Sequence, residues 1–266
     1  MVGRRRKHGK QRLAGNHQRC WIWGRNAVLQ TLAAGRWKPL SILAADRRFE
    51  GEIRADVERR SRELDVPIEW VSYDELTDRC RSTEHQGLMA MMPEYPYASL
   101  DEALLPAHHP PFVLVLEGIQ DPHNFGAIIR SAEVFGADAI IVGEAGQCEV
   151  TPHVARASAG AVNDVRIARV PDVIEGVRWL QNRGLRVLGA SGRAERVIAD
   201  CSLLAATAMV IGNEGTGLSE AMHAACDQLV RIPQIGKSES LNAAVAAGIL
   251  CYEVRRQRSD ASSAFE

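Results

Sequence analysis

The spacing of apolar residues divides the chain into two regions in which predicted strands and helices alternate. In the first region, residues 20–92, short apolar runs predict strands at 20–23, 40–44, 67–71 and 87–92. Helical spacing over 52–64 and a capping pair at Ser72 and Glu75 predict helices between the strands. Asn26 is a candidate cap for a further helix that ends at Gly35. The βαβαβαβ order predicts an α/β sandwich.

The second region, residues 112–257, alternates in the same way. Its predicted strands are 112–116, 139–142, 165–168, 185–188, 208–211 and 229–232. Several are continuous runs of Val, Ile, Leu and Ala, which are typical of strands covered on both faces. Predicted helices lie at about 126–135, 152–160, 172–182, 218–225 and 240–256. The pattern predicts an open, mostly parallel sheet, in which ligands bind beyond the carboxyl ends of the strands.

The segments outside these regions are polar or rich in proline. Residues 93–111 hold five of the eleven prolines, which predicts a stiff linker and a domain boundary. Residues 1–19 are predicted to be a disordered arm, and 258–266 a polar tail.

Charge is distributed unevenly along the 266 residues. The net charge is -1, yet the first 20 residues contain seven bases and no acid. Such an arm could bind phosphates, releasing their counterions, or it could simply increase solubility. The sequence leaves both readings open.

The cysteines and the hydropathy exclude several classes of protein. The nearest two of the six cysteines are 25 residues apart, so no C-x-x-C pair is available for zinc or redox chemistry. We therefore expect no metal, and reduced thiols in a cytoplasmic protein. No apolar stretch approaches the roughly 20 residues of a membrane-spanning helix, so no membrane partner is expected.

Three loops that follow predicted strands carry polar groups. In the first loop, Asp121 and Asn124 are candidate helix caps, but capping does not explain Arg130, a charge within an apolar helical stretch. The second, 212–217, reads G-x-x-G-x-G, which is not the dinucleotide fingerprint, and no Walker lysine follows. Its carboxylate, Glu214, suits a cationic ligand or an arginine that needs orienting. In the third loop Ser240 is a candidate helix cap, ahead of an Ala/Gly run that favours close packing.

Together, these loops resemble the three motifs of the SpoU-type branch of the SPOUT RNA methyltransferases. The matching residues are Asn124-x-Gly126-x-x-x-Arg130, then Ile211–Leu218, then Ile232-Pro with Ser240-Leu-Asn242. The front of the chain is similar to the L30e-like substrate-binding domain of this family, through Trp23–Val28 and His85-Gln-Gly87. The resemblance covers about residues 20–257 and is closest to the enzymes that methylate a guanosine 2′-hydroxyl in 23S rRNA.

The resemblance implies a fold, a cofactor and an assembly. The first domain, 20–92, would be L30e-like, and the second, 112–257, a SPOUT α/β domain. Residues about 208–256 would be threaded into a deep trefoil knot, a feature that periodicity does not predict. The knot would hold S-adenosylmethionine, and the family works as a homodimer. The cofactor contacts carried over from the family are Gly212, Ile232 and Leu241.

The resemblance also implies roles in transferring a methyl group to a ribose 2′-hydroxyl. Arg130 would activate the hydroxyl, and because guanidinium stays protonated, we expect it to act as a hydrogen-bond donor. Glu214 would orient Arg130 or Asn124. Asn124, Ser240 and Asn242 would position the ribose and the RNA backbone. Many relatives carry a second serine two residues after this asparagine, where this chain has Ala244.

The first domain would select the RNA, and its candidate contacts are Arg25, Asn26, Arg47 and Arg48. Solvation of a charged face explains Arg47 and Arg48 equally well. Two alternatives to an rRNA methyltransferase remain. One is a tRNA 2′-O-ribose methyltransferase with the same motifs, and the other is a non-catalytic RNA-binding or ribosome-assembly protein.

Overall fold

The computed structural model describes residues 20–46, 51–106, 108–236 and 240–263. The chain forms two compact units. The first comprises residues up to Pro96 with Val150–Pro152, and the second comprises Tyr97–Glu149 with His153–Glu266. Among the helices in the described ranges, none combines the length and the apolar character needed to cross a membrane.

In the residues that the structure describes, the first unit is a four-stranded mixed sheet with three helices, in the predicted βαβαβαβ order. Its elements are β1 (Trp21–Trp23), α1 (Arg25–Ala34), β2 (Ser41–Ala45), α2 (Glu52–Leu64), β3 (Ile68–Val71), α3 (Tyr73–Cys80) and β4 (Leu88–Met91). The strand order is β1-β4-β2-β3, and β2 and β3 run parallel while the other pairs are antiparallel. Leu43, Leu76 and Met89 are buried in its core.

The caps of this unit agree in part with prediction. The Ser72 hydroxyl accepts a hydrogen bond from the Glu75 backbone N–H at 3.2 Å, and Gly35 ends α1 in a left-handed conformation, both as predicted. The prediction that Asn26 caps α1 is wrong. The helix begins one residue before Asn26, and its N-cap is Gly24, whose φ of 98° favours glycine.

The proline-rich segment is not a bare linker. It contains the one-turn helix α4 (Leu100–Ala103), which begins with a capping box between Ser99 and Glu102. Just before it, Ala98 forms a parallel bridge with Ala168 of the second unit. The proline count hid this capping signal, so the prediction of a segment without helix or strand is wrong for residues 98–103.

The second unit is a six-stranded sheet in which every strand pair is parallel. Its elements are β5 (Phe112–Leu116), α5 (Pro122–Val134), β6 (Ala139–Gly143), α6 (Pro152–Ala157), β7 (Arg166–Val170), α7 (Val173–Asn182), β8 (Arg186–Ala190), β9 (Thr207–Ile211), α8 (Glu220–Ala225), β10 (Gln228–Val230) and α9 (Ala243–Ser263). All five residues of β5, and all five of β9, are buried. The predicted parallel sheet with strands covered on both faces is confirmed.

The strand order determines where a ligand can bind. The order is β10-β8-β9-β5-β6-β7, so the chain moves outward from β5 through β6 and β7 and then returns to the other side of β5. This reversal places a topological switch point between β5 and β9. Open α/β sheets bind ligands at the carboxyl edge of such a point. The loops at 117–121 and 212–217 follow β5 and β9 at that edge.

The last helix is longer than predicted and is anchored at its end. Arg258, predicted to start a polar tail, lies inside α9 and donates to the carbonyls of Leu203 at 3.1 Å and Pro110 at 2.6 Å. Gln257 donates to the Cys201 carbonyl and accepts from the Leu203 N–H, both at 3.0 Å. Burial lowers the pKa of Arg258. The prediction of a polar tail is therefore wrong for residues 258–263, which continue the helix. The local sequence pattern could not show this, because the stabilising contacts are with distant parts of the chain.

Candidate functional site

The loops that follow β5 and β9 lie against each other at the switch point. The Asn213 side-chain amide donates to the Gly118 carbonyl at 2.6 Å. The second loop is a closed turn, because Asn213 and Gly217 exchange two backbone hydrogen bonds. A Cβ on Gly212 would lie 2.3 Å from the Gly217 carbonyl carbon, so this turn requires glycine there. Motif two therefore builds a compact loop that holds Glu214 beside motif one.

Asp121 caps α5 and thereby leaves Asn124 available for other contacts. One oxygen of the Asp121 carboxylate accepts from the backbone N–H groups of His123 at 2.7 Å and Asn124 at 2.9 Å. The hydrogen bonds from the Asn124 and His123 backbone N–H groups outweigh the effect of burial, so the pKa of the Asp121 carboxyl is lowered. The prediction of Asp121 as a cap is confirmed. The prediction of Asn124 as a cap is wrong, because Asn124 lies inside the first turn of the helix and its side chain contacts Glu214 and Asn242.

Asn124 joins residues from all three motifs. Its side-chain nitrogen donates to Glu214 Oε1 at 3.1 Å, and its side-chain oxygen accepts from Asn242 Nδ2 at 2.9 Å. Glu214 also accepts from the backbone N–H groups of Gln120 at 3.4 Å and Asp121 at 3.3 Å. Burial acts to raise the pKa of Glu214, but these hydrogen bonds prevail and lower it. A charged carboxylate thus fixes the orientation of the Asn124 amide.

Asn242, rather than Ser240, caps the last helix. The Asn242 side-chain oxygen accepts from the backbone N–H groups of Ala244 at 2.9 Å and Val245 at 3.3 Å. The Ser240 cap prediction is wrong because α9 begins at Ala243, and Ser240 is exposed two residues before the cap. Asn242 uses its oxygen for the helix and its nitrogen for Asn124, so it couples the start of α9 to the site.

Arg130 lies on α5 with its side chain exposed. Within the described ranges it makes no hydrogen bond or ion pair, so Glu214 contacts Asn124 and not Arg130. An exposed guanidinium on the helix that carries Asn124 is available to a substrate. Between them, Gly126 lets α5 approach the C-terminal end of α6, because a Cβ there would lie 2.4 Å from Ala157 Cβ.

The three carried-over cofactor residues lie in segments beside the carboxyl edge. Gly212 directly follows β9, Ile232 comes two residues after β10, and Leu241 comes two residues before α9. Gly212 is buried, and Ile232 and Leu241 are half-buried apolar side chains. Main chain and apolar side chains suit the faces and polar edge of an adenine, so these residues fit S-adenosylmethionine. In the described part of the chain, no group of three or more His, Cys, Asp or Glu residues could hold a metal ion.

Two of the four predicted RNA contacts lie in the described ranges. Arg25 and Asn26 are exposed in the first turn of α1. Gln86, from the His85-Gln-Gly87 match, accepts from the Arg25 backbone N–H at 3.2 Å. The buried His85 side chain contacts the Thr77 hydroxyl at 3.0 Å and accepts from the Gly87 N–H. Arg47 and Arg48 fall outside the described residues.

Asn213 is a site residue that the sequence pattern did not predict. Its position between Gly212 and Glu214, in a loop rich in glycine, is the signal that was available. The partner of its side-chain nitrogen is a backbone carbonyl 95 residues earlier, which no local pattern reveals.

Family models match both units of the chain. The SpoU rRNA Methylase family matches residues 111–252, and the family described as RNA 2'-O ribose methyltransferase substrate binding matches residues 21–98. The chain is 35% identical over 242 residues to the 23S rRNA (guanosine-2'-O-)-methyltransferase RlmB of Coxiella burnetii, covering 89% of this chain and 95% of that protein. It is also 35% identical over 239 residues to an uncharacterized tRNA/rRNA methyltransferase of Mycobacterium ulcerans, covering 89% and 77%.

A solved structure has the same fold. The SpoU methyltransferase AviRb from Streptomyces viridochromogenes, in complex with the cofactor AdoMet, aligns with a TM-score of 0.78 and 25% identity over 92% of this chain and 95% of that one. With the motifs assembled at the switch point and both family models matched, the chain belongs to the SpoU rRNA methylase family, whose members are S-adenosylmethionine-dependent RNA 2′-O-methyltransferases.

Proposed function

We propose that this enzyme methylates the ribose 2′-hydroxyl of a guanosine in 23S rRNA. The single observation that carries the proposal is the Glu214–Asn124–Asn242 chain of hydrogen bonds, which joins the three motifs at one edge of the sheet. The length-wide similarity to an RlmB protein supports the choice of substrate. We also propose that the enzyme acts in the cytoplasm, and its six free cysteines support this location.

The chemistry requires alignment and the removal of one proton. S-adenosylmethionine supplies an already activated methyl group, so the protein need only hold the reacting oxygen in line with it. Gly212, Ile232 and Leu241 would hold the cofactor through main chain and apolar contacts.

The remaining residues act on the RNA. Arg130 donates hydrogen bonds to the 2′-oxygen and stabilises the negative charge that develops there; it is not a base, because guanidinium stays protonated. Water or a phosphate oxygen of the RNA takes the hydroxyl proton. The Asn124 amide, fixed by Glu214 and Asn242, positions the ribose. Ser240, exposed two residues before Asn242, would contact the RNA backbone. On the first unit, Arg25 and Asn26 are proposed to contact the RNA.

The test is methyl transfer by the purified protein with labelled S-adenosylmethionine and, separately, 23S rRNA and tRNA transcripts. We expect label in 23S rRNA, released as a 2′-O-methylguanosine. Arg130→Ala should lower transfer at least 100-fold while calorimetry shows unchanged cofactor binding. Transfer to tRNA alone would replace the proposed substrate, and cofactor binding without transfer to any RNA would favour a non-catalytic role. Near-normal turnover by Arg130→Ala would remove that residue from the mechanism.

We further propose a homodimer that forms through an apolar face of the second unit. Val245, Ile249 and Tyr252 are 51%, 37% and 53% exposed and lie along one side of α9. The Tyr252 ring contacts Phe135, and the neighbouring Val134 is 61% exposed. An exposed apolar stripe of this kind is typical of a protein interface. Analytical ultracentrifugation should show a dimer, and Ile249→Glu should give monomers; a monomeric wild-type protein would contradict the proposal.

The trefoil knot is also a proposal. The backbone of Arg231 forms hydrogen bonds with the backbones of Arg196 and Ile198. Further along the chain, side chains of α9 form hydrogen bonds with the backbone of residues 201–205. The C-terminal chain therefore runs closely along the segment between β8 and β9. Tracing the chain in an experimental density map checks the threading, and an unthreaded C-terminal segment would refute it.

A further inference from the structure

A cluster of basic side chains lies beside the site and has no part in the chemistry described above. The imidazoles of His123 and His153 meet with their Nε2 atoms 3.2 Å apart and their rings edge to face, with centroids at 4.6 Å. Arg156 places Nη2 3.3 Å from His153 Nδ1. His123 belongs to α5 and directly precedes Asn124, while His153 and Arg156 belong to α6.

The direction of these hydrogen bonds follows from the chemistry of arginine. A guanidinium only donates, so His153 Nδ1 must accept from Arg156. The proton of a neutral His153 therefore resides on Nε2, which donates to the lone pair of His123 Nε2. The proton of His123 is then on Nδ1. The charge of Arg156 polarises this chain, and its end is an N–H donor on an exposed side chain.

The His123 donor lies on the same face of α5 as Arg130, the residue proposed to bind the ribose 2′-oxygen. His123 and Arg130 are seven residues apart on α5, so they share one face of the helix about 10.5 Å apart along its axis. The Asp121 carboxylate is also near the two imidazoles, but it accepts two backbone N–H groups at the start of the helix. The exposed face therefore carries the His123 donor and the Arg130 cation, which together suit an RNA strand lying along it.

We propose that His123, supported by His153 and Arg156, is a binding site for a phosphate oxygen of the RNA strand beside the methylated ribose. This inference rests on the proposed function, because that function supplies the RNA and the place of its ribose. A hydrogen bond to a charged oxygen is stronger than one to a neutral acceptor. The same chemistry would fit the carboxylate of the cofactor, so the experiment must separate the two anions.

The first arm of the test compares variants on the mapped RNA substrate. His123→Leu removes the donor, and His123→Asn puts an amide nitrogen near the position of Nδ1. We expect His123→Leu to raise KM for RNA about tenfold or more, with kcat within threefold of wild type, and His123→Asn to restore most of the loss. Arg156→Leu should raise KM in the same direction. The matched control is His108→Leu, an exposed histidine before β5 at the opposite edge of the sheet.

The second arm neutralises the proposed partner. Single methylphosphonates are placed at each phosphate flanking the target ribose, which removes one charge at a time. When the methylphosphonate is at the phosphate that His123 binds, the KM of the wild-type protein for RNA should rise about tenfold. The KM of His123→Leu should not rise further at that position. The proposed subsite would be overturned if each methylphosphonate raised the KM of the wild-type protein and of His123→Leu equally. It would also be overturned if His123→Leu had the wild-type KM for unmodified RNA. A tenfold rise in the Kd for S-adenosylmethionine in His123→Leu would also overturn it, by assigning the donor to the cofactor.

Failure of the proposed function gives a different result. RNA affinity is measured by fluorescence anisotropy alongside turnover, so the variants report on the subsite even without methyl transfer. A wild-type protein that binds the RNA but transfers no methyl group refutes the proposed function. If the wild-type protein transfers the methyl group but His123→Leu binds the RNA equally well, the subsite is refuted and the proposed function is not.

Discussion

The glycine of motif one gives a prediction whose size follows from the structure. In the interior of α5, replacing Gly126 by Ala would gain about 1 kcal/mol of helix propensity. The new Cβ, however, would lie 2.4 Å from Ala157 Cβ and 2.8 Å from both the Ala157 carbonyl carbon and the Ser158 nitrogen. Carbon atoms pack at about 3.5–4.0 Å, so α5 and the end of α6 would have to separate by about 1 Å.

The clash outweighs the gain in propensity. Overpacking costs typically about 1–3 kcal/mol, and here two of the three obstructing atoms are backbone, which cannot rotate away. With a clash cost at the upper end of this range, about 3 kcal/mol, and a propensity gain of about 1 kcal/mol, we expect Gly126→Ala to lower the free energy of unfolding by about 2 kcal/mol. Because Asn124 lies two residues earlier on the same helix, a shift of about 1 Å should also lower methyl transfer on the order of 100-fold.

Urea unfolding followed by circular dichroism measures the first quantity, and the transfer assay the second. Gly192→Ala is the matched control, since a Cβ at Gly192 meets no atom within 4 Å; it should change stability by less than about 0.5 kcal/mol. A Gly126→Ala protein as stable as wild type would refute the packing argument. Normal activity in a destabilised variant would refute the link between helix position and alignment.

Three further substitutions or probes test separate parts of the site. Asn242→Asp keeps a side-chain oxygen that can cap α9 but loses the amide donor to Asn124, so stability should hold while transfer falls; Asn242→Ala should lose both, with about 1 kcal/mol of stability, in the same two assays. Glu214 has a pKa below its ordinary 4.5 because its hydrogen bonds outweigh burial, so its stabilisation is present above pH 4.5 and is lost as the pH falls through the lowered pKa. Glu214→Gln should therefore be less stable than wild type at pH 7, by less than about 1 kcal/mol because the side chain is exposed and screened, and the two urea midpoints should converge in acid; a constant difference would contradict this. Burial raises the pKa of Cys251 to about 12, so mass spectrometry should find it unmodified by iodoacetamide at pH 8 until urea unfolds the protein, and rapid labelling of the native protein would show that α9 opens around Cys251.

The sheet of the second unit could be predicted because its strands are short, unbroken apolar runs. Phe112–Leu116 has no polar residue, and a strand of this kind is stable only when both faces are covered. The first unit was predicted from alternation and caps, such as the Ser72–Glu75 bond. Cap positions differed where a neighbour suited the turn better, as at Gly24 and Asn242.

Other features depend on contacts that no local pattern contains. The Asn242–Asn124 hydrogen bond joins residues 118 positions apart, and the Arg258 bond to Pro110 spans 148. The resemblance placed Asn124, Glu214 and Asn242 in separate motifs and left open whether Glu214 orients Arg130 or Asn124. The fold shows that Asn124 is the partner of both Glu214 and Asn242. The same reason explains why the meeting of His123 and His153 could not be foreseen.

The central claim is that this site methylates one ribose of ribosomal RNA. The most direct measurement maps 2′-O-methyl groups in 23S rRNA from cells with the gene, cells without it, and cells complemented with the wild-type or Arg130→Ala protein. One guanosine should lose its ribose methyl group when the gene is absent and regain it with the wild-type protein only. An unchanged set of ribose methyl groups in 23S rRNA, or full restoration by Arg130→Ala, would contradict it.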